Sequence, residues 1–200
     1  MKKHIYESED SKKIFFTSDT HFQHEAIIQY CKRPFKDIAE NNSEIIKRWN
    51  AKVPEDGIVF HLGDVGFGHP KIINDILHQL HGKIYLVIGN HDWRRVVSQH
   101  AWRFEEMTQQ INMKISGQHI ILNHFPLLCF SGAYRKDSPT WQLFGHVHSS
   151  PYCSDGLDIP RLNMLFPTQY DVGVDNNDFT PISFEEVKIK IEEQCRTYSI

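Results

Sequence analysis

Three short runs of apolar, β-favouring residues, Ile14 to Ser18, Ile58 to Leu62 and Ile84 to Ile88, punctuate the first half of the chain, and each gives way at once to a turn. Runs of this kind predict buried strands. Between them the apolar spacing becomes helical. Asp37 with Glu40 makes a capping box for a helix reaching about Lys52, with Ile38, Ile45, Ile46 and Trp49 on one side and Pro54 beyond its end. Pro70 opens a second helix in which Ile72, Ile73, Ile76, Leu77 and Leu80 share a face, and Gly82 is placed to end it in a left-handed conformation. Strands alternating with helices predict right-handed crossovers and a largely parallel first sheet.

The second half has a different rhythm. Ile111 to Ile115 and His119 to Leu122 flank Ser116-Gly117-Gln118 and predict a hairpin, and Trp141 to Phe144 and Asp171 to Val174 offer two more short strands of a mixed second sheet. Ser183 and Glu186 form a capping box for a last helix over 183–195, with Phe184, Val187 and Ile191 as its inner face. The chain shows neither a repeat nor a flexible linker, and its 200 residues, 40% of them hydrophobic, suffice for one substantial core. A single domain over 1–200 is expected, with 1–13 as a polar N-terminal segment.

Charge and cysteine usage narrow the class. A net charge of -3 with interspersed signs leaves no electrostatic footprint for long nucleic acid and favours a small phosphorylated substrate. The first thirteen residues lack the apolar stretch of a secretory signal, and no run approaches a membrane span, so the expected location is cytoplasmic, away from the membrane. Cys31, Cys129, Cys153 and Cys195 are scattered without a Cys-x-x-Cys pair, which suits reduced, structural thiols.

Chemistry gathers where the apolar runs end. Asp19-Thr20-His21, Gly63-Asp64, Gly89-Asn90-His91-Asp92, a lone His124 and Gly145-His146-Val147-His148 follow one another in order. Residues two apart on an extended segment project the same way, so Asp19 with His21, and His146 with His148, can chelate together. Carboxylate and imidazole without thiolate suit Mn, Fe, Zn, Ni or Co. Asp-x-His and Gly-Asp alone are uninformative, but a given tetrapeptide such as Gly-Asn-His-Asp is expected about once in a thousand chains of this size, so the combination carries the reading.

The set resembles the calcineurin-like metallophosphoesterases, whose pattern runs Asp-x-His, Gly-Asp, Gly-Asn-His-(Asp/Glu), a single His and Gly-His-x-His. Thr17 to Phe22, Ile27-Ile28 and Arg33-Pro34-Phe35 look like a small bacterial and phage single-domain subgroup of that family. The resemblance implies an α/β fold, a four-layer αββα sandwich of two mixed sheets flanked by helices, with a dinuclear metal site at the carboxyl ends of the strands. It also implies that Asp19, His21 and His148 hold one ion, that Asn90, His124 and His146 hold the other, and that Asp64 bridges them. Manganese or a mixed iron site is the expected pair.

The implied activity is hydrolysis of a phosphodiester or phosphomonoester by in-line attack of a metal-bridging hydroxide, with diesters favoured. His91 matches the family's catalytic histidine and would protonate the leaving group, with Asp92 holding its imidazole. Arg33, His24, His61 and Arg135 are candidates for substrate contact, as are Arg94 and Arg95 as phosphate-binding guanidiniums. Gln23 stands where many relatives of the subgroup have glycine, a departure that would crowd the mouth of the site. The connections from Pro126 to Thr140 and from Ser149 to Gln169 would shape the pocket, with Phe130, Tyr134, Tyr152 and Phe166 available to stack. A nuclease of the same superfamily is the alternative. A non-catalytic protein-interaction scaffold is the alternative of another class, weakened because no ligand is missing.

Overall fold

The computed structural model describes residues 5–149 and 162–198, without the side chains of Ile5, Arg95 and Tyr198; Tyr152 and Cys153 lie outside the described residues. The three apolar runs become β2 (Ile14–Thr17), β3 (Ile58–His61) and β4 (Lys83–Val87), joined side by side in parallel register. Both faces of these strands are covered, which is why they read as unbroken hydrophobic runs. Phe16, Phe60 and Val87 face the second sheet, whereas Phe15, Val59, Ile84 and Leu86 face the helices α2 (Ile38–Lys52) and α3 (Pro70–Gln79). β5 (Phe104–Thr108) adds a parallel edge and β10 (Ile182–Ser183) an antiparallel one, giving the order β10-β2-β3-β4-β5.

The second sheet runs β1 (Ile5–Ser8), β6 (Gln110–Ile115), β7 (Gln118–Asn123), β8 (Trp141–Phe144) and β9 (Gln169–Asp171). Only the β6–β7 hairpin is antiparallel. Its two-residue loop, Ser116 (φ 46°) and Gly117 (φ 83°), has the consecutive left-handed residues of a type I′ turn. Ile111, Met113, Ile115, Leu122 and Leu143 meet the inner face of the first sheet in one core. The architecture is the two-sheet α/β sandwich that the resemblance implies.

Of the two capping boxes, the first holds in part and the second in full. Asp37 accepts from the Glu40 amide at 2.8 Å, although the Glu40 carboxylate reaches back to the Lys36 amide at 2.7 Å instead of to Asp37. Before α4 (Phe184–Tyr198), Ser183 and Glu186 exchange both bonds of a capping box. The short helix α1 (Ala26–Tyr30) follows the first motif.

Four expectations are corrected. α3 ends at Gln79 with Leu80 already extended, so Gly82 (φ 85°) does not cap it; it turns the chain tightly past the Gly57 carbonyl into β4. Ile72 is 43% exposed, off the buried face of that helix. The last strand of the second sheet spans Gln169–Asp171, and Val174–Asn176 is a 3-10 turn. Residues Ile5–Ser8, inside the polar N-terminal segment, form a strand. No helix among the described residues is long and apolar enough to cross a membrane.

Candidate metal centre

β2, β3, β4, β7, β8 and β9 all release their chains on one edge of the sandwich, and the motifs occupy the first residues of those loops. Asp19 and His21 do not continue β2, so strand alternation is not what pairs them. Both have left-handed backbone, with φ of 57° and 49°, as do Asp64 (58°), His146 (71°) and His148 (46°). Non-glycine residues rarely take this conformation, and a concentration of such strain is typical of functional loops. The loops are tied together to maintain it: the Asp19 amide donates to the Gly63 carbonyl at 2.9 Å, His21 to Asp64 at 3.1 Å and Gly145 to His124 at 3.0 Å. The motif glycines are steric necessities. A side chain at Gly89 would enter the Asp64 carboxylate, and one at Gly145 would enter Asp19 and Ser18.

Two groups of donor atoms result. Those of Asp19, His21 and His148 lie within 4.8 Å of one another, and so do those of Asp64, His124 and His146. Asp64 sits between them, its Oδ2 being 3.7 Å from His21 Nε2 and 3.6 Å from His124 Nε2. The Asn90 Oδ1 completes the second group at 2.9 Å from His124 Nε2.

The donor set fits cations. Asp19 Oδ1 and His21 Nε2 are buried with no hydrogen-bond partner among the described residues, 3.9 Å apart, a span matched by two metal–ligand bonds of about 2.1 Å. Three of the imidazoles have their Nδ1 engaged, which aims Nε2 inward. His124 Nδ1 donates to the Leu62 carbonyl at 2.7 Å and His148 Nδ1 to Asp175 at 2.8 Å. His21 Nδ1 meets His24 Nδ1 at 3.1 Å, so His24 orients His21 as its acceptor when Nε2 is the ligand. With its one proton on Nδ1, His124 presents a lone pair to the Asn90 oxygen, and a cation reconciles those two acceptors.

Electrostatics point the same way. Burial, with the Asp19 carboxylate beside it, pushes Asp64 up to about 7, the mark of two acids confined without countercharge. Burial and the neighbouring His148 hold His21 well below its ordinary value, in the neutral form that ligates. Burial opposes a charge on His148, but Asp175 and Asp19 outweigh it and draw the ring up to about 11; the field that attracts a proton there would equally attract a metal ion.

Other candidates take different places. Asp92 is fully buried and does not hold the His91 imidazole; its carboxylate accepts from the amides of Asp64 (2.8 Å), Gly89 (2.8 Å) and Val65 (2.9 Å), clamping the second and third motif loops together. His91 itself is at the mouth, its side chain 46% exposed, with Nε2 3.9 Å from Asp64 Oδ2 and its ring 4.8 Å from that of Phe67. Arg33 does not face substrate. Its five N–H donors are consumed by Asp175 (2.9 Å twice), the carbonyls of Asp19 (2.8 Å) and Thr20 (3.0 Å), and Asn41 (3.1 Å).

His61 is likewise internal. It accepts from the Gly63 amide at 3.2 Å and reaches the Thr20 hydroxyl at 3.0 Å, and Thr20 donates to the Val65 carbonyl at 2.9 Å, so it ties the first motif loop to the second. Burial lowers its pKa to about 3, which keeps it neutral. Arg135 is exposed on its loop and, among the described residues, makes no hydrogen bond or ion pair with the cluster. Gln23 packs over Gly68 with left-handed backbone (φ 61°) and donates to Asn42 at 3.2 Å.

Asp175, which the motifs do not include, holds both Arg33 and His148. Its signal was an acidic residue just beyond a strand end, the position Asp19 and Asp64 also occupy. Of the cysteines, Cys31 is buried, Cys195 half-buried and Cys129 exposed, and all three are free thiols.

The chain is similar to known proteins along most of its length. The chain is 30% identical over 184 residues to the uncharacterized protein MJ1445 of Methanocaldococcus jannaschii, covering 91% of this chain and 93% of that protein. It is 25% identical over 166 residues to the Gene 66 protein of Mycobacterium phage L5, covering 68% of this chain and 77% of that one. A crystal structure of the protein of unknown function AQ665 from Aquifex aeolicus superposes with a TM-score of 0.66 at 25% identity, over 88% of this chain and 97% of that chain. The sequence profile of the calcineurin-like phosphoesterase superfamily domain matches residues 13–163, three quarters of the chain and every motif of the cluster, and the chain belongs to that superfamily.

Proposed function

We propose that this phosphoesterase hydrolyses a phosphodiester, with His91 protonating the leaving alkoxide. The observation that carries the reading is the contrast among the imidazoles: His21 and His124 are buried and aimed inward, whereas His91 stands half-exposed over the same Asp64 carboxylate. Asp19, His21 and His148 would hold one divalent ion, Asn90, His124 and His146 a second, and Asp64 would lie between, with manganese or a mixed iron pair favoured. When bound, such ions supply a water acidified toward neutral pH and positive charge over the phosphoryl oxygens.

The chain's own residues supply the rest. The Asp64 carboxylate lies 3.9 Å from His91 Nε2, and the Phe67 ring, 4.8 Å from the imidazole, limits its positions. A diester gives this group a task, because its alkoxide leaving group needs a proton. His91→Ala should therefore lower turnover of a dinucleoside or alkyl diester by roughly 10²–10⁴-fold, leave metal content unchanged and affect bis(p-nitrophenyl) phosphate little. Near-wild-type turnover of the alkyl diester by the variant would remove His91 from the mechanism.

A further inference from the structure

Beside His146 the surface opens into a cavity of about 300 Å³ that metal binding does not explain. Among the described residues, Phe125, Pro126, Leu128, Val147, Leu162 and Leu165 form its walls, and His146 is the one polar residue on it. The volume is at the lower end of the roughly 300–1,000 Å³ typical of small-ligand sites. Large apolar side chains are left facing it in water: Phe125 is 44% exposed and Leu128 67%. The Phe125 ring stands edge-on to His146 and His124, with centroids 4.6 and 4.9 Å away, so the apolar wall begins one ring's width from the metal-facing imidazoles.

The wall is anchored. Buried Gln142 donates to the Phe125 carbonyl at 2.9 Å and accepts from the Leu127 amide at 3.1 Å, and buried Gln169 donates to the Leu127 carbonyl at 2.9 Å. Strands β8 and β9 thus fix the backbone from Phe125 to Leu127, so this wall stands in place before any ligand arrives.

We propose that this cavity binds an aromatic ring carried by the phosphoester, resting on the phosphoesterase reading above. A phosphoryl group at the metal centre directs its organic substituent outward, and the surface it meets on the His146 side is this apolar wall. With His146 the one polar residue among the described lining, the ring is recognised by shape and burial, and an aryl group and a nucleobase share that chemistry.

The test is calorimetric binding of three non-hydrolysable ligands, methylphosphonate, benzylphosphonate and a thymidine 5′-phosphonate, to manganese-loaded protein. At least one aromatic ligand should bind about tenfold or more tighter than methylphosphonate, and which one gains distinguishes aryl from base. In Leu128→Asn and in Leu165→Asn that advantage should shrink to within about threefold with methylphosphonate unaffected. Equal affinities in the wild type, or an advantage that survives both substitutions, overturns the proposal. Failure of methylphosphonate itself to bind overturns the phosphoesterase reading, and the cavity assignment with it.

Discussion

Replacing Asp64 with asparagine is expected to lower phosphoester turnover by about 10³-fold and to halve the bound metal. The side chain keeps its size, so the reason is charge and donor type. Asp64 Oδ2 lies within 3.9 Å of Nε2 of His21, His124 and His91, and Oδ1 accepts the His91 amide at 2.9 Å. An amide can accept at one atom only; its nitrogen cannot ligate and cannot offset two cations. Metal analysis together with turnover of bis(p-nitrophenyl) phosphate checks the prediction, and two retained ions with wild-type turnover would exclude Asp64 as the bridge.

Stability should move the other way once metal is stripped. Burial first, and then the Asp19 carboxylate, push the Asp64 carboxyl up to about 7 from its ordinary 3.8, so the ionised form is penalised in the fold. A raised pKa contributes stability that is fully present below about 3.8 and is lost as pH rises through about 7. Asparagine carries no such loss. In chelator at pH 8 the variant should melt no lower than the wild type, and at pH 5 the difference should narrow. A markedly lower melting temperature at pH 8 would show that the carboxylate is needed by the fold itself.

The chain announces its ligands but not the framework that aims them. Asp19, His21 and His148 are legible because the short motifs at strand ends occur together and in order. Their left-handed backbone is not legible, since it depends on partners more than forty residues distant, such as the Gly63 carbonyl that receives the Asp19 amide. The same distance hides the true work of Arg33, whose acid Asp175 is 142 positions away. A reading by residue type sends both Arg33 and His61 to substrate, and burial reverses both. The strands that escaped notice, β1, β5 and the two-residue β10, are edges with neighbours on one side only. Ile5-Tyr6-Glu7-Ser8 and Phe104-Glu105-Glu106-Met107-Thr108 therefore lack the continuous apolar run that marked the central strands.

Asp175→Ala is expected to be the most damaging single change to the fold around the site. Arg33 is 4% exposed, and Asp175 supplies both oxygens of its bidentate pair. Burial works against ionising Asp175, but Arg33 and His148 outweigh it and hold the carboxyl below its ordinary value. Removing one partner of a buried pair leaves an uncompensated charge, at a cost of about 3–5 kcal/mol. For a chain of this size that is a fall of roughly 10 °C in melting temperature. His148 also loses the acceptor of its Nδ1 proton, and loss of such a partner weakens metal binding by about 10–100-fold. The two effects separate by experiment. Melting in chelator reads the Arg33 contribution, and the rise in melting temperature on adding manganese reads the His148 contribution, which should shrink in the variant. A melting temperature in chelator within about 2 °C of wild type would mean that Arg33 finds another partner, and an undiminished metal-induced rise would mean that His148 is aimed without Asp175.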